Sequence, residues 1–342
     1  MKYCYIDLHC DTLAEALMRK SGTAETLSQT MTDVCRLREA GAMAQFFAMF
    51  LPQKSSAGWF EGGEQPTPEE LLEGMYNIYC RTMEECGGMV APAGSYEELM
   101  ENKRQGKLSA FLTIENGFLI QGCMERITQV YEMGVRLMTL TWNDPNCFGF
   151  CHSDDPKEMS RGLTEFGRDA VEYMQQLGML VDVSHLSDGG FWDVVHIARR
   201  TGKPFVASHS NCRALSPATR NLTDEMIREL GECGGVAGLN FAPQFLNADQ
   251  RNPVSRVSRM CAHVRHLIDK GGIACAAIGT DFDGITGKFE IADCTKMELL
   301  FEGLHQSGLS EDAIEKIAYG NAVRVIKEGM TPCQKNKFRI YS

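Results

Sequence analysis

Eight short apolar runs rich in strand-forming residues recur along the chain, at 3–9, 42–51, 108–115, 135–142, 178–185, 204–210, 234–241 and 273–281. Most are separated by stretches with helical periodicity, and a strand that gives way to a helix before the next strand begins is the pattern of a parallel sheet. Two of the helical stretches are clear. In "LTEFGRDAVEYMQQLG", Phe166, Ala170, Tyr173, Met174 and Leu177 fall on one stripe, and "VSRVSRMCAHVRHLIDKGG" is closed by Gly271 and Gly272. Eight strands alternating with helices predict an α/β protein, a single-domain (β/α)8 barrel of the TIM type over residues 1–328, with a short basic tail at 329–342. A doubly wound open sheet would carry a Gly-rich phosphate turn after its first strand, and none follows here.

The chain has 342 residues, of which 44% are hydrophobic, enough for a large buried core. Its 34 basic residues are outnumbered by 45 acidic ones, a net charge of -11 that would repel a polyphosphate backbone and an anionic leaflet alike. Neither nucleic acid nor membrane is expected as a partner. The first run passes straight into polar residues without the apolar core and cleavage site of a secretory signal, and no stretch approaches the roughly 20 apolar residues of a spanning helix. A cytoplasmic protein is expected. Fourteen cysteines are scattered without a CxxC pair, which reads as reduced thiols rather than a disulfide framework. Cys147 and Cys151 beside His152 lack the second cysteine pair of a structural zinc site.

The ends of the apolar runs carry the chemistry. His9 and Asp11 close the first, Glu115 the third, His185 the fifth, His209 the sixth and Asp281 the eighth. A histidine at a strand end is by itself ordinary. Here three of the eight histidines and three carboxylates take the same position on different strands, so a closed barrel would aim all of them into its C-terminal mouth. Carboxylates crowded there would take up protons unless positive charge lay between them. Imidazole nitrogen with carboxylate oxygen suits Zn²⁺, with Mn²⁺ or Co²⁺ as workable substitutes. His196, His263, His266 and His305 lie in helical stretches and read as structural or solvated. Two connections, 52–70 and 143–162, are long enough to cover such a mouth.

With these residues assembled, the chain resembles the membrane dipeptidase (renal dipeptidase) family of the metal-dependent amidohydrolases. The resemblance runs over nearly the whole length through "IDLHCDTL", "DVCRLREAGAMAQFFAMFLP", "TIENG", "GVRLMTLTWN", "GLTEFGRDAVEYMQQLGMLVDVSHLS", "ASHSNCRAL", "TRNLTDEMI" and "IGTDFDG". It implies two zinc ions, held by His9 and Asp11 on one side and by His185 and His209 on the other, with Glu115 bridging. It further implies Asp281 as the catalytic carboxylate and Arg220 as the anchor for the substrate's free carboxylate. The implied reaction is hydrolysis of a dipeptide amide bond by a hydroxide held between the ions, including substrates with a D-amino acid at the C-terminus. Another two-metal amidohydrolase, acting on N-acyl amino acids, lactones or phosphoesters, is the alternative.

One position departs from the family. In the renal enzyme a histidine thought to polarise the peptide carbonyl follows "TLT", whereas here Trp142 stands. Asn143 or His152 on the same loop takes over its contact with substrate, or the metal alone suffices. The signal and lipid-anchor tail of the animal enzymes have no counterpart, so a soluble relative is expected, with a homodimer left open.

Overall fold

The computed structural model describes residues 3–27, 29–53 and 66–330. Eight strands answer the eight apolar runs: β1 (Tyr5–Cys10), β2 (Ala42–Phe50), β3 (Leu108–Glu115), β4 (Val135–Thr139), β5 (Leu180–Asp182), β6 (Val206–Ala207), β7 (Val236–Leu239) and β8 (Ala276–Ile278). Each pairs in parallel with the next, and β8 returns to β1 with Ile278 opposite Asp7, so the sheet closes into the expected barrel. A further short strand, Val90–Pro92, borders the start of β3 on the side that β4 takes over from Leu112 onward.

Closure buries both faces of every strand, which is why the runs read as continuous rather than alternating. One cluster gathers Ile6, Leu8, Phe46, Phe111, Leu137, Leu180, Val206, Val236 and Ala277, at least one residue from each strand, with the rings of Phe46 and Phe111 stacked at 4.6 Å. The helix Asn321–Gly329 adds Ala322, Val325 and Ile326 to it. Asn321 donates to the carbonyls of Ile273 and Ala276 at 2.7 and 2.8 Å, just before and at the start of β8, which sets this helix at the N-terminal rim. The opposite faces, through residues such as Phe47, Leu112, Met138, Val181 and Leu239, join the larger cluster formed with the surrounding helices.

The helices begin and end where local chemistry directs. Glu165–Leu177 is capped by the Thr164 hydroxyl on the Gly167 amide and stopped by Gly178 at φ 82. Its buried face is Gly167, Ala170, Val171, Met174 and Gln175, so the predicted stripe is turned by about one residue, with Phe166, Tyr173 and Leu177 only partly buried. Gly167 accounts for the turn: a Cβ there would strike the Phe148 carbonyl, so the helix approaches that backbone along its bare edge.

Four ladders stop about three residues short of the predicted ends. Beyond β5 and β6, the Asp182 carboxylate takes the backbone N–H of Ser184 at 3.0 Å and of Ser208 at 2.8 Å. Beyond β8, Asp7 takes the N–H of Thr280 at 2.8 Å. Side chains there replace strand partners. The connection 143–162 is tied down at the same rim, with the His152 N–H on the His185 carbonyl at 2.8 Å and the Ser187 N–H on the Phe150 carbonyl at 2.9 Å. Of the connection 52–70, residues 54–65 lie outside the described residues, as does the basic tail from 331 onward. Among the described residues the cysteines are all free thiols, and no helix is long and apolar enough to cross a membrane.

Candidate metal centre

The six predicted strand-end residues meet at the C-terminal mouth. Only His9 and Glu115 sit within strands; Asp11, His185, His209 and Asp281 lie just beyond theirs. Between Asp7 and Cys10 the register of β1 against β2 slips, and with His9 inside the slip and Asp11 just past it the two reach the same site. Glu115 stands in the middle. Its Oε2 is 3.5 Å from His9 Nε2, while its Oε1 is 3.2 Å from His185 Nε2 and 3.6 Å from His209 Nε2. His9 Nε2 also lies 3.4 Å from Asp11 Oδ2 and 3.8 Å from Asp281 Oδ1. Two groups, His9 with Glu115 and His209, and His9 with Asp11 and Asp281, each bring their ligand atoms within 4.8 Å of one another. The cysteines at 147 and 151 belong to neither group.

The imidazoles are oriented from behind. Asp182 accepts from the hydroxyls of Thr139 and Ser208 at 2.6 Å each, as well as from the two backbone amides. With its hydrogen donated in the bond to Asp182, Ser208 Oγ accepts from His209 Nδ1 at 2.7 Å, which leaves a bare lone pair on Nε2 facing Glu115. His185 is fixed likewise, with Nδ1 3.2 Å from Asn143 Oδ1. The two Nε2 atoms then stand 3.1 Å apart with lone pairs opposed, an approach that a cation between them would relieve. His9 Nδ1 and Nε2 and Asp11 Oδ1 are buried without any hydrogen-bond partner. The residues therefore fit divalent ions both in donor type and in unmet bonding capacity.

The electrostatics agree. Burial pulls His9 down, but the Glu115 and Asp11 carboxylates outweigh it and hold His9 well above its ordinary value. Burial, reinforced by the neighbouring carboxylates and opposed by His9, pushes Asp281 up to about 7 and Asp11 up to about 6. Protons gather where positive charge is wanted. His185 and His209 are held well below the usual imidazole range by burial first, so both are neutral donors. Asn240 Nδ2 donates to Asp281 Oδ2 at 2.8 Å, leaving Oδ1 toward His9. Non-glycine residues take left-handed backbone at this rim, with Asn116 at φ 74, His185 at 67, Asp281 at 62 and Asp283 at 69.

Arg220 arrives from the segment after β6. It is buried, its Nη1 on Ser210 Oγ at 2.7 Å and its Nη2 on the His209 carbonyl at 3.0 Å, while its Nε has no partner. Burial draws it down to about 10. Arg213 holds this segment by a two-pronged pair to Asp188 at 2.7 Å and bonds to the carbonyls of Thr219 and Asn221 at 2.9 and 2.8 Å. His152 lies alongside, with Nε2 3.0 Å from Asn143 Oδ1 and Nδ1 3.3 Å from Thr219 Oγ1, and burial followed by the Arg220 charge lowers it to about 4. Asn143 thus joins His152 to His185. Of the helical histidines, His263 is buried and accepts from the Cys212 N–H at 3.1 Å, a packing role.

Reasoning from sequence passed over Asp182, Ser208 and Asn240. "DVSH" and "ASHS" both place a serine directly before the histidine, and that repeated pair was the available signal.

Residues 1–337 match the family described as membrane dipeptidase, peptidase family M19. An uncharacterized protein of the pqqA 5′ region of Klebsiella pneumoniae is 36% identical over 236 residues, 67% of this chain and 85% of that protein. Among solved structures, the metallopeptidase dipeptidase AC of family M19 superposes with a TM-score of 0.86 at 27% identity, covering 96% of this chain and 99% of that one. A Rhodobacter sphaeroides metallopeptidase bound to a phosphinate mimic of the dipeptide L-Ala-D-Ala also gives 0.86 and 27%, covering 96% and 100%.

Proposed function

The chain belongs to the membrane dipeptidase family, peptidase family M19, and is a metallo-dipeptidase with a (β/α)8 barrel; from that premise we propose that it hydrolyses dipeptides with a pair of zinc ions at the barrel mouth. The observation that carries the paired site is Glu115, whose two oxygens lie 3.5 Å from His9 on one side and 3.2 Å from His185 on the other. His9 and Asp11 would hold one ion, His185 and His209 the other, and Glu115 would contribute to both. When bound, such ions supply Lewis-acid polarisation and a water acidified toward neutrality.

The chain's own groups do the rest. Arg220 offers its unpaired Nε to the substrate's terminal carboxylate, and its burial strengthens that contact. This restricts substrates to short peptides with a free C-terminus. Asp281, with Oδ2 held by Asn240 and Oδ1 turned to the cluster, takes the proton of the attacking water and delivers it to the departing amine. Neutral His152 and Asn143 line the approach, where Asn143 keeps His185 in its ligating tautomer and His152 fixes Thr219 beside Arg220. A D-residue at the C-terminal position is included, a reading supported by the mimic bound to the Rhodobacter relative.

The test is a panel of L-L and L-D dipeptides, an N-acyl amino acid, a lactone and a phosphoester, assayed with and without chelator on zinc-reconstituted protein. Dipeptides should be cleaved fastest, chelation should abolish cleavage, and Asp281→Asn should keep its ions while kcat falls roughly 10²–10⁴-fold. Faster turnover of any non-peptide class, or zinc rescue of a metal-depleted Asp281→Asn, would overturn the reading.

A further inference from the structure

Trp142 stands half-buried just beyond β4, where it has no proton to exchange at neutral pH and offers mainly apolar surface. Its ring meets Phe50 edge-on at 4.9 Å and 68°, and lies 6.2 Å from the ring of His185. Phe50 pairs directly with Glu115 across β2 and β3, and Glu115 pairs with Thr139 of β4. The two aromatic rings therefore come from β2 and from the segment just past β4, the strands on either side of the one that carries Glu115, and meet each other. Phe50 also lines an apolar recess with Leu17, Met18, Pro52, Leu71 and Met75.

The opposite arc is polar. In a closed ring of eight strands β3 faces β7, and Arg220 follows β6, Asn240 follows β7 and Asp281 follows β8. A dipeptide held by its carboxylate at Arg220, with its peptide bond over Glu115 and the three histidines, extends its N-terminal residue away from Arg220. That direction leads to the aromatic wall.

We infer that Trp142, backed by the buried ring of Phe50, forms the subsite for the side chain of the substrate's N-terminal residue, and that dipeptides with a large apolar residue there are preferred; this rests on the dipeptidase reading above. A pocket of this kind discriminates by contact area, and even one methylene shifts kcat/KM by roughly tenfold or more. The wall acts on binding of the side chain, and the proton steps stay with Asp281.

The experiment compares kcat/KM for Gly-Ala, Ala-Ala, Leu-Ala and Phe-Ala on zinc-loaded wild type, Trp142→Ala and Trp142→Phe. Ratios between substrates on one preparation cancel any loss of folded enzyme. Wild type should favour Leu-Ala over Gly-Ala by about 10–100-fold, Trp142→Ala should lose about tenfold of that ratio, and Trp142→Phe should keep most of it. A wild type indifferent to the N-terminal side chain, or a ratio unchanged in Trp142→Ala, overturns the inference while leaving the dipeptidase reading standing. A wild type that cleaves no dipeptide overturns both.

Discussion

Ser208→Ala removes a single fully buried hydroxyl, and it should weaken metal binding. In the folded protein that oxygen donates to Asp182 at 2.6 Å and accepts from His209 Nδ1 at 2.7 Å. Without it, Asp182 retains Thr139 and its two backbone amides, so the carboxylate stays largely satisfied. His209 does not. Its buried Nδ1–H loses its acceptor, a deficit of about 1–3 kcal/mol, and the proton can move to Nε2, the atom that must stay bare to bind an ion. At about 1.4 kcal/mol per decade, zinc affinity at the His185 and His209 side should fall roughly 10–100-fold. Competition with a chromophoric chelator measures the affinity, and thermal melts of the chelated protein measure the change in stability alone. Ser208→Thr, which keeps a hydroxyl, should recover most of the binding. Unchanged affinity in Ser208→Ala, with the loss confined to the melting temperature of the chelated form, would refute the relay.

Gly284 of "TDFDG" lies where a Cβ would run into Asp11 Oδ2 and stand 2.6 Å from Asp281 Oδ1, so Gly284→Ala should push the two carboxylates off the site and lower kcat/KM by at least about 100-fold while the far-ultraviolet circular dichroism stays unchanged. Arg220→Ala should raise KM strongly for free dipeptides and little for C-terminal amides, and because it also takes away the buried bonds to Ser210 Oγ and the His209 carbonyl, the melting temperature should fall modestly while the protein still folds. For the metal-free protein, Asp281 at about 7 and Asp11 at about 6 lie above their unfolded value of 3.8, so the native state binds more protons than the unfolded state between those values. The stability these groups contribute is full below about pH 4 and lost as pH rises through 7; melts of chelated protein from pH 4.5 to 8 should show the decline, and zinc should offset it.

The barrel was legible because each strand is buried on both faces and so reads as a continuous apolar run. Its strand ends were less so, since the ladder stops where Asp182 and Asp7 capture backbone amides on neighbouring strands, and such captures depend on adjacency in space. For the same reason His185 and His209 stood out in the sequence while Ser208 did not: a histidine after an apolar run is visible locally, but the tie from Ser208 to Asp182 crosses from β6 to β5. The sequence offers Asn143 and His152 as replacements for a histidine at position 142. Their contacts with His185 and Thr219 are ones that spacing along the chain does not reveal.

The proposed paired site stands or falls on whether Glu115 helps to hold two ions. Zinc counted per folded chain by elemental mass spectrometry, in wild type and in Glu115→Gln after the same reconstitution, should give about two in the first and at most about one in the second, with dipeptide hydrolysis following the count. Full activity in a wild type that retains no more than one ion, or a Glu115→Gln variant that keeps both ions and its activity, would contradict the account.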